Sequence, residues 1–222
     1  MISKKVTITL IILFTIISAV SVAIICKIMS IKASARKYVQ EVYNLTPTES
    51  QLSLSIDGMD SVTVWTKELP FYFDVYLHIE NGQVWCDTYL ESLIEYKLDQ
   101  LVFEKLPGYV DEQDLGVILE STVSSKNPPV TIDKVNADPN ILINNPKVHY
   151  HYCVFNANLS MQKYYIIYSR IVNNFNPTAV SFGYIKKNGK KSYVTIDSSE
   201  FSEINNVYDL SRVIKEKSED TE

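Results

Sequence analysis

The sequence predicts an α+β protein: an N-terminal transmembrane helix, then two small modules, each with antiparallel strands packed on helices. Three features predict it. Residues 6–26, VTITLIILFTIISAVSVAIIC, contain no charge and no proline. Beyond them, short segments of apolar–polar alternation are closed by Asp-Gly and Asn-Gly pairs, the mark of half-buried strands joined by tight turns. Between the strands lie stretches whose apolar residues recur at helical spacing. Apolar residues make up 46% of the chain, charged residues 21%, and there are only 6 Gly, a balance that sustains a buried core.

The apolar run has 21 residues. At about 1.5 Å per residue it covers roughly 30 Å, the thickness of a bilayer core. A cleaved signal peptide has a shorter apolar stretch of about 7 to 15 residues. The A-x-A sequence at Ala33-Ser34-Ala35 is separated from the run by Lys27 and Lys32, and Cys26 follows Ile24 and Ile25 rather than the small residues of a lipidation site. The expectation is a short tail at 1–5 and a permanent anchor at 6–26, whose partner is the lipid bilayer. Lys27, Lys32, Arg36 and Lys37 after the run favour a cytoplasmic C-terminal side by the positive-inside rule. The short N-terminal tail favours the signal-anchor layout instead. An extracytoplasmic domain, single-pass at the cell membrane, is the orientation expected.

Charge excludes one class of function. Of 21 Lys+Arg, 15 lie beyond residue 37, together with all 26 Asp+Glu, so the soluble part carries −11. Such a domain repels nucleic-acid phosphates and anionic headgroups, and no nucleic-acid partner is expected.

The first module spans 36–106. Residues 35–43 continue the helix from the membrane, with Thr46-Pro47 as its stop. Leu52, Leu54 and Ile56 alternate with serines up to Asp57-Gly58, and Val62, Val64 and Thr66 resume the alternation. Residues 71–86 form a hairpin about Asn81-Gly82, expected as a two-residue type I′ turn. Thr88 and Glu91 then make a T-x-x-E capping box. Leu90, Leu93, Ile94, Leu98, Leu101 and Val102 stripe a helix expected to cover the first sheet, with Pro107-Gly108 ending it.

Residues 107–129 form a connecting segment in which GVILESTV reads as a strand, with a break at Asn127-Pro128-Pro129. The second module, 130–216, reads β-α-β-β-α after a helical turn at Thr131 to Ala137. Val148, Tyr150, Tyr152 and Val154 alternate as a strand. Asn158 or Ser160 caps a helix bearing Tyr164, Ile167, Tyr168, Ile171, Val172 and Phe175. A second hairpin turns at Asn188-Gly189, where Lys186, Lys187, Lys190 and Lys191 blunt the loop tip. A final helix near residues 203–215 and a frayed tail at 217–222 close the chain.

Few residues suggest chemistry. His149, His151 and Cys153 share one strand face, where two imidazoles and a thiolate can approach a metal. The plainer reading makes them the wetter face of a strand whose other side is core. Cys86 and Cys153, one per module, could pair as a disulfide in a translocated domain, or stay buried thiols. The acidic D-E-Q-D at 111–114 lacks the ligand order of a calcium loop. G-x-S-x-G, P-loop and H-E-x-x-H motifs are absent. The N-x-[ST] sequences at Asn44 and Asn158 carry meaning only in a eukaryotic product.

The segments KYVQEVYNLTP and DGMDSVTVWTKELPFYFDVYLHIENGQVWCDTYLESLIEYKLDQ resemble the YfjL-like family of uncharacterised membrane-anchored proteins of Gram-positive bacteria. VHYHYCVF, MQKYYIIYSRIVNNF and AVSFGYIKKNGKKSYVTI are similar to that family's second domain. The resemblance implies a cystatin-like first module and brings no established activity. The Q-x-V-x-G loop of inhibitory cystatins is absent. The function expected is a membrane-tethered extracytoplasmic binding or scaffolding protein, without catalytic activity or cofactor, whose partner is a cell-envelope protein. The alternatives are a component of a conjugation or secretion apparatus and a metal-dependent hydrolase using the H-x-H pair.

Overall fold

The computed structural model describes residues 4–54, 60–78, 80–106, 108, 115–120, 130–185 and 190–219. Outside the described residues lie Asp57-Gly58, Pro107, the D-E-Q-D loop, the Asn127-Pro128-Pro129 break, Asn188-Gly189 with Lys186 and Lys187, and the last three residues. The fold is mixed α and β: a long apolar helix, then two four-stranded sheets packed with helices. The chain divides into two compact units, residues 1–89 and 90–222.

The first unit begins with α1, Lys4–Tyr43, unbroken for 40 residues or about 60 Å because no Gly or Pro interrupts it. It is long and apolar enough to cross a membrane. From Thr9 to Cys26 every side chain is exposed; from Ile31 onward the helix buries one stripe, Ile31, Ala35 and Val39, at i, i+4 and i+8. Asn44 ends the helix in the left-handed conformation (φ 54°), its N–H bonded to Gln40 O at 3.1 Å. That is earlier than Thr46-Pro47, because Asn tolerates the left-handed cap that most residues avoid.

The chain then meanders through β1 (Pro47–Ser53), β2 (Asp60–Thr66), β3 (Phe73–His78) and β4 (Gln83–Asp87), all antiparallel and hydrogen-bonded in that order. The upper part of α1 lies across the strands. The sheet's buried face carries Val62, Val64, Phe73, Val75 and Leu77. β1 starts and ends earlier than expected, leaving Leu54 exposed beyond it. The β3–β4 turn also differs. Among its described residues only Gly82 has positive φ (69°), Gly82 N bonds His78 O, and the Asn81 side chain accepts from Gln83 N. A type I′ turn needs positive φ at both central residues; here the Asn81 side chain holds a wider loop instead.

The second unit holds α2 (Tyr89–Lys105) from Leu90 on, β5 (Leu115–Leu119), α3 (Ile132–Ala137), a 3₁₀ turn at Pro139–Leu142, β6 (Tyr150–Val154), α4 (Met161–Asn174), β7 (Ala179–Ile185), β8 (Lys191–Asp197), a second 3₁₀ helix at Ser198–Glu203 and α5 (Val207–Glu219). Its sheet runs β5-β6-β7-β8. β6 and β7 are parallel because α4 crosses between them; the other pairs are antiparallel. The core stacks Tyr150, Tyr152, Val154, Val180 and Phe182 against Tyr164, Ile167, Tyr168 and Ile171 of α4. Ser160, of the two caps expected, accepts from Lys163 N. The last helix reaches Glu219, three residues into the expected tail, where Lys217 bonds Thr195 O at 2.9 Å and Glu200 at 2.7 Å.

The division after Tyr89 departs from the expected boundaries. The helix assigned to the first module belongs with the second unit, and β5 falls on the strand expected at GVILESTV within the connecting segment and pairs into the second sheet. The cover expected of that helix over the first sheet comes from α1.

Ala35 is fully buried in α1, so an added side chain there must displace the sheet beneath. Ala35→Leu is expected to destabilise the first unit by about 1–3 kcal/mol. Exposed Gln40→Ala is expected to stay within about 0.5 kcal/mol of wild type. Urea unfolding of the detergent-solubilised chain, followed by Trp65 and Trp85 fluorescence, reads both.

Candidate functional site

The H-x-H-x-C set of residues 149–153 does not converge. His149 precedes β6 and is exposed, while His151 is half-buried with Nδ1 3.4 Å from Glu120 Oε1. Cys153 is buried beside Ser181; burial raises its thiol pKa and the Ser181 hydrogen bond lowers it in part. Among the described residues, no three His, Cys, Asp or Glu side chains are grouped to hold a metal. The opposite side of the strand, Val148, Tyr150, Tyr152 and Val154, is core. Cys86 and Cys153 are both thiols, not halves of a disulfide. The strand partner of Cys153 is Gly116, where an added Cβ would meet the Phe155 ring at 2.7 Å.

A denser constellation lies in the first unit, around Asp87 at the end of β4. Its carboxylate accepts from Tyr38 Oη at 2.6 Å, from Tyr43 Oη at 2.9 Å and from the N–H of Tyr89 at 2.9 Å. Tyr43 stacks on Tyr89 at 4.3 Å, and Phe73 meets both rings edge-on. Burial, reinforced by the neighbouring carboxylate, pushes the Tyr38 hydroxyl up to about 12 and raises that of Tyr43 as well. Both phenols therefore stay protonated donors through the physiological range. The expected capping box is rearranged: Thr88 Oγ1 accepts from Asp74 N at 2.9 Å, and Asp87 receives the first helical N–H.

The same unit presents aromatic surface. Trp65 packs on Tyr72 at 5.4 Å, and Tyr72 is 57% exposed. The register steps from Tyr76↔Cys86 to Leu77↔Val84, making Trp85 the extra residue of a β-bulge, 62% exposed. Bulges commonly re-aim a side chain in this way. Exposed Trp and Tyr are the residue types that most often anchor protein interfaces.

In the second unit, α2 supplies two carboxylates to the edge strand. Glu95 accepts from Leu119 N at 3.1 Å, and Asp99 takes a backbone hydrogen bond from Val117. Four helical residues rise about 6 Å and two strand residues about 6.8 Å, so an i, i+4 pair on a helix matches alternate N–H groups of a strand. Burial raises both acids, Asp99 to about 7, with Glu95 adding repulsion. Asp99 Oδ1 and Tyr152 Oη are buried with no hydrogen-bond partner among the described residues. Sequence reasoning passed over Asp87, Glu95 and Asp99. The visible signal for the last two was their i, i+4 spacing beside the apolar stripe of α2.

Set against protein-family models, curated proteins and solved structures, the chain has no match in any of the three.

The Asp99 carboxyl holds its proton to about pH 7 in the fold but only to about 4 when unfolded. The folded state thus binds the extra proton between these values, and this group's contribution to stability falls as pH rises through that window. Asp99→Asn keeps an acceptor for Val117 and removes the charge. It is expected to gain on the order of 2 kcal/mol over wild type at pH 8 and little at pH 4. Denaturant unfolding followed by circular dichroism at the two pH values checks this; an unchanged pH slope refutes it.

Proposed function

We propose that this protein is a membrane-tethered, non-catalytic binding or scaffolding module, held at the extracytoplasmic side of the cell membrane, whose partner is a cell-envelope protein. The observation that carries the reading is the continuity of α1. One unbroken helix includes both the exposed apolar stretch and the buried stripe Ile31, Ala35 and Val39. Cleavage after Ala35 would remove core residues from the first unit, which supports a retained anchor over a discarded leader. The exposed rings of Tyr72 and Trp85, with half-buried Trp65 packed on Tyr72, support a protein-binding role. Membership of the YfjL-like family is part of this proposal, supported by a helix laid on a four-stranded antiparallel sheet, followed by a strand-helix-strand-strand unit.

Two measurements test the reading. A photo-crosslinking residue replacing Tyr72 or Trp85 in the full chain, in its native membrane, is expected to give a discrete protein adduct. The same residue at Gln40 is expected to give none. Absence of adducts at both aromatic positions, or an equal yield at Gln40, refutes the binding role.

Orientation is tested separately at Tyr208, which is 82% exposed. A Tyr208→Cys variant is expected to react with a membrane-impermeant maleimide on intact cells. Labelling only after lysis would place the domain in the cytoplasm.

A further inference from the structure

Directly above the apolar stretch, α1 bounds a cleft of about 310 Å³ lined by Met29, Lys32, Ala33, Arg36 and Ser50. We propose that this cleft holds the headgroup of an anionic phospholipid from the bilayer in which the helix is anchored. The proposal rests on the membrane reading above.

Met29, Lys32, Ala33 and Arg36 stand at i, i+3, i+4 and i+7, so they share one face of the helix. If residue 26 marks the edge of the hydrocarbon, Met29, Lys32 and Arg36 lie roughly 4, 9 and 15 Å above it along the axis. The headgroup layer is about 5–8 Å thick on each side. Helical side chains lean toward the helix N-terminus, here toward the bilayer, and long basic side chains carry their charge several ångströms from the backbone. The face thus presents an exposed thioether at the level of the upper acyl chain and glycerol, then an ammonium, then a guanidinium. A phospholipid presents its acyl chain, glycerol and phosphate in the same order.

Two further observations single out Lys32 and Arg36 among the basic residues after the span. Lys27 Nζ donates to Glu80 O at 2.9 Å, and Lys37 lies 3.7 Å from Glu41 across one helical turn. Arg36 is fixed by β1 instead: its Nε donates to Ser50 Oγ at 3.0 Å, and Ser50 is itself buried. That bond leaves the two outer guanidinium nitrogens, a fork suited to phosphate oxygens. Zwitterionic headgroups carry a cation that Lys32 and Arg36 repel, so the cleft discriminates by net charge. The rest of the soluble part, at −11, repels anionic lipid and leaves the cleft as the favourable approach.

The test uses the full chain in nanodiscs of phosphatidylcholine mixed with phosphatidylglycerol, with native mass spectrometry of the lipid that stays on the released protein. Wild type is expected to retain phosphatidylglycerol in excess over its share of the disc. Lys32→Ala and Arg36→Ala are each expected to cut that excess about fivefold, since one cation near a membrane surface contributes about 1 kcal/mol. Lys37→Ala is expected to leave it within twofold. An excess that survives both cleft substitutions, or falls equally with Lys37→Ala, overturns the proposal. Failure of the membrane reading looks different: the chain then does not enter the discs, or is recovered without residues 1–35.

Discussion

Asp87 accepts hydrogen bonds from Tyr38, Tyr43 and the N–H of Tyr89, and through them a helix whose first stretch is bare of protein becomes part of a folded unit. A half-buried carboxylate is costly unless its oxygens are bonded, and donors to a charged acceptor are worth about 1.5–3 kcal/mol each. Two of those donors sit on α1, five residues apart near its C-terminal end. The clasp therefore fixes the rotation of the helix about its axis as well as its position. The stripe Ile31, Ala35 and Val39 contributes burial along the same helix, but apolar contact alone tolerates sliding. A phenol bonded to a strand-end carboxylate does not. With the phenols held protonated by their surroundings, both remain donors across the physiological range.

Fastening of this kind also explains what could be read from the chain and what could not. Local patterning exposed the long apolar helix, most strands of both sheets, and α2 and α4 nearly to their ends, because each depends on residues close in sequence. The misplaced features depend on partners distant in sequence. Thr88 has the right residue type and spacing for a cap, yet its hydroxyl answers the N–H of Asp74 across the sheet. Asn81-Gly82 has the dipeptide of a tight turn, yet the Asn side chain competes with the backbone geometry that such a turn requires. The apolar stripe of α2 announces a buried face without saying which sheet it faces. The carboxylates of Glu95 and Asp99, directed at β5, would have answered that, but acids beside a stripe ordinarily read as solvated. The candidate metal set failed for the opposite reason. Period-2 spacing placed His151 and Cys153 on one face correctly, but burial differs along that face and His149 lies before the strand begins.

The second unit shows how an open sheet is closed without more strands. Its edges are β5 and β8. Along β5, outward N–H groups meet carboxylates from α2; at β8, the carbonyl of Thr195 meets the ammonium of Lys217, which Glu200 also holds. Acceptors face donors on one edge and a donor faces an acceptor on the other, so both edges are occupied by side chains of this same unit. An edge treated in this way is a poor template for another strand. Binding by strand addition is thus disfavoured at these positions.

The aromatic surface of the first unit has no such treatment. Tyr72 and Trp85 stand open on the unit that carries α1, and the β3–β4 hairpin is held to α1 where Lys27 meets the carbonyl of Glu80. On the membrane reading, that contact sets the hairpin tip near the level at which the helix leaves the lipid. Gly82 packs close enough to Ser34 that a Cβ there would meet its hydroxyl at 3.0 Å, so the loop and the helix are shaped to each other. Helix, clasp and hairpin are joined by these contacts, and on the proposed membrane reading they hold the exposed rings at a set height and heading relative to the bilayer. On that same reading, the partner proposed above would meet a preoriented surface, which lowers the orientational cost of association before any contact is made.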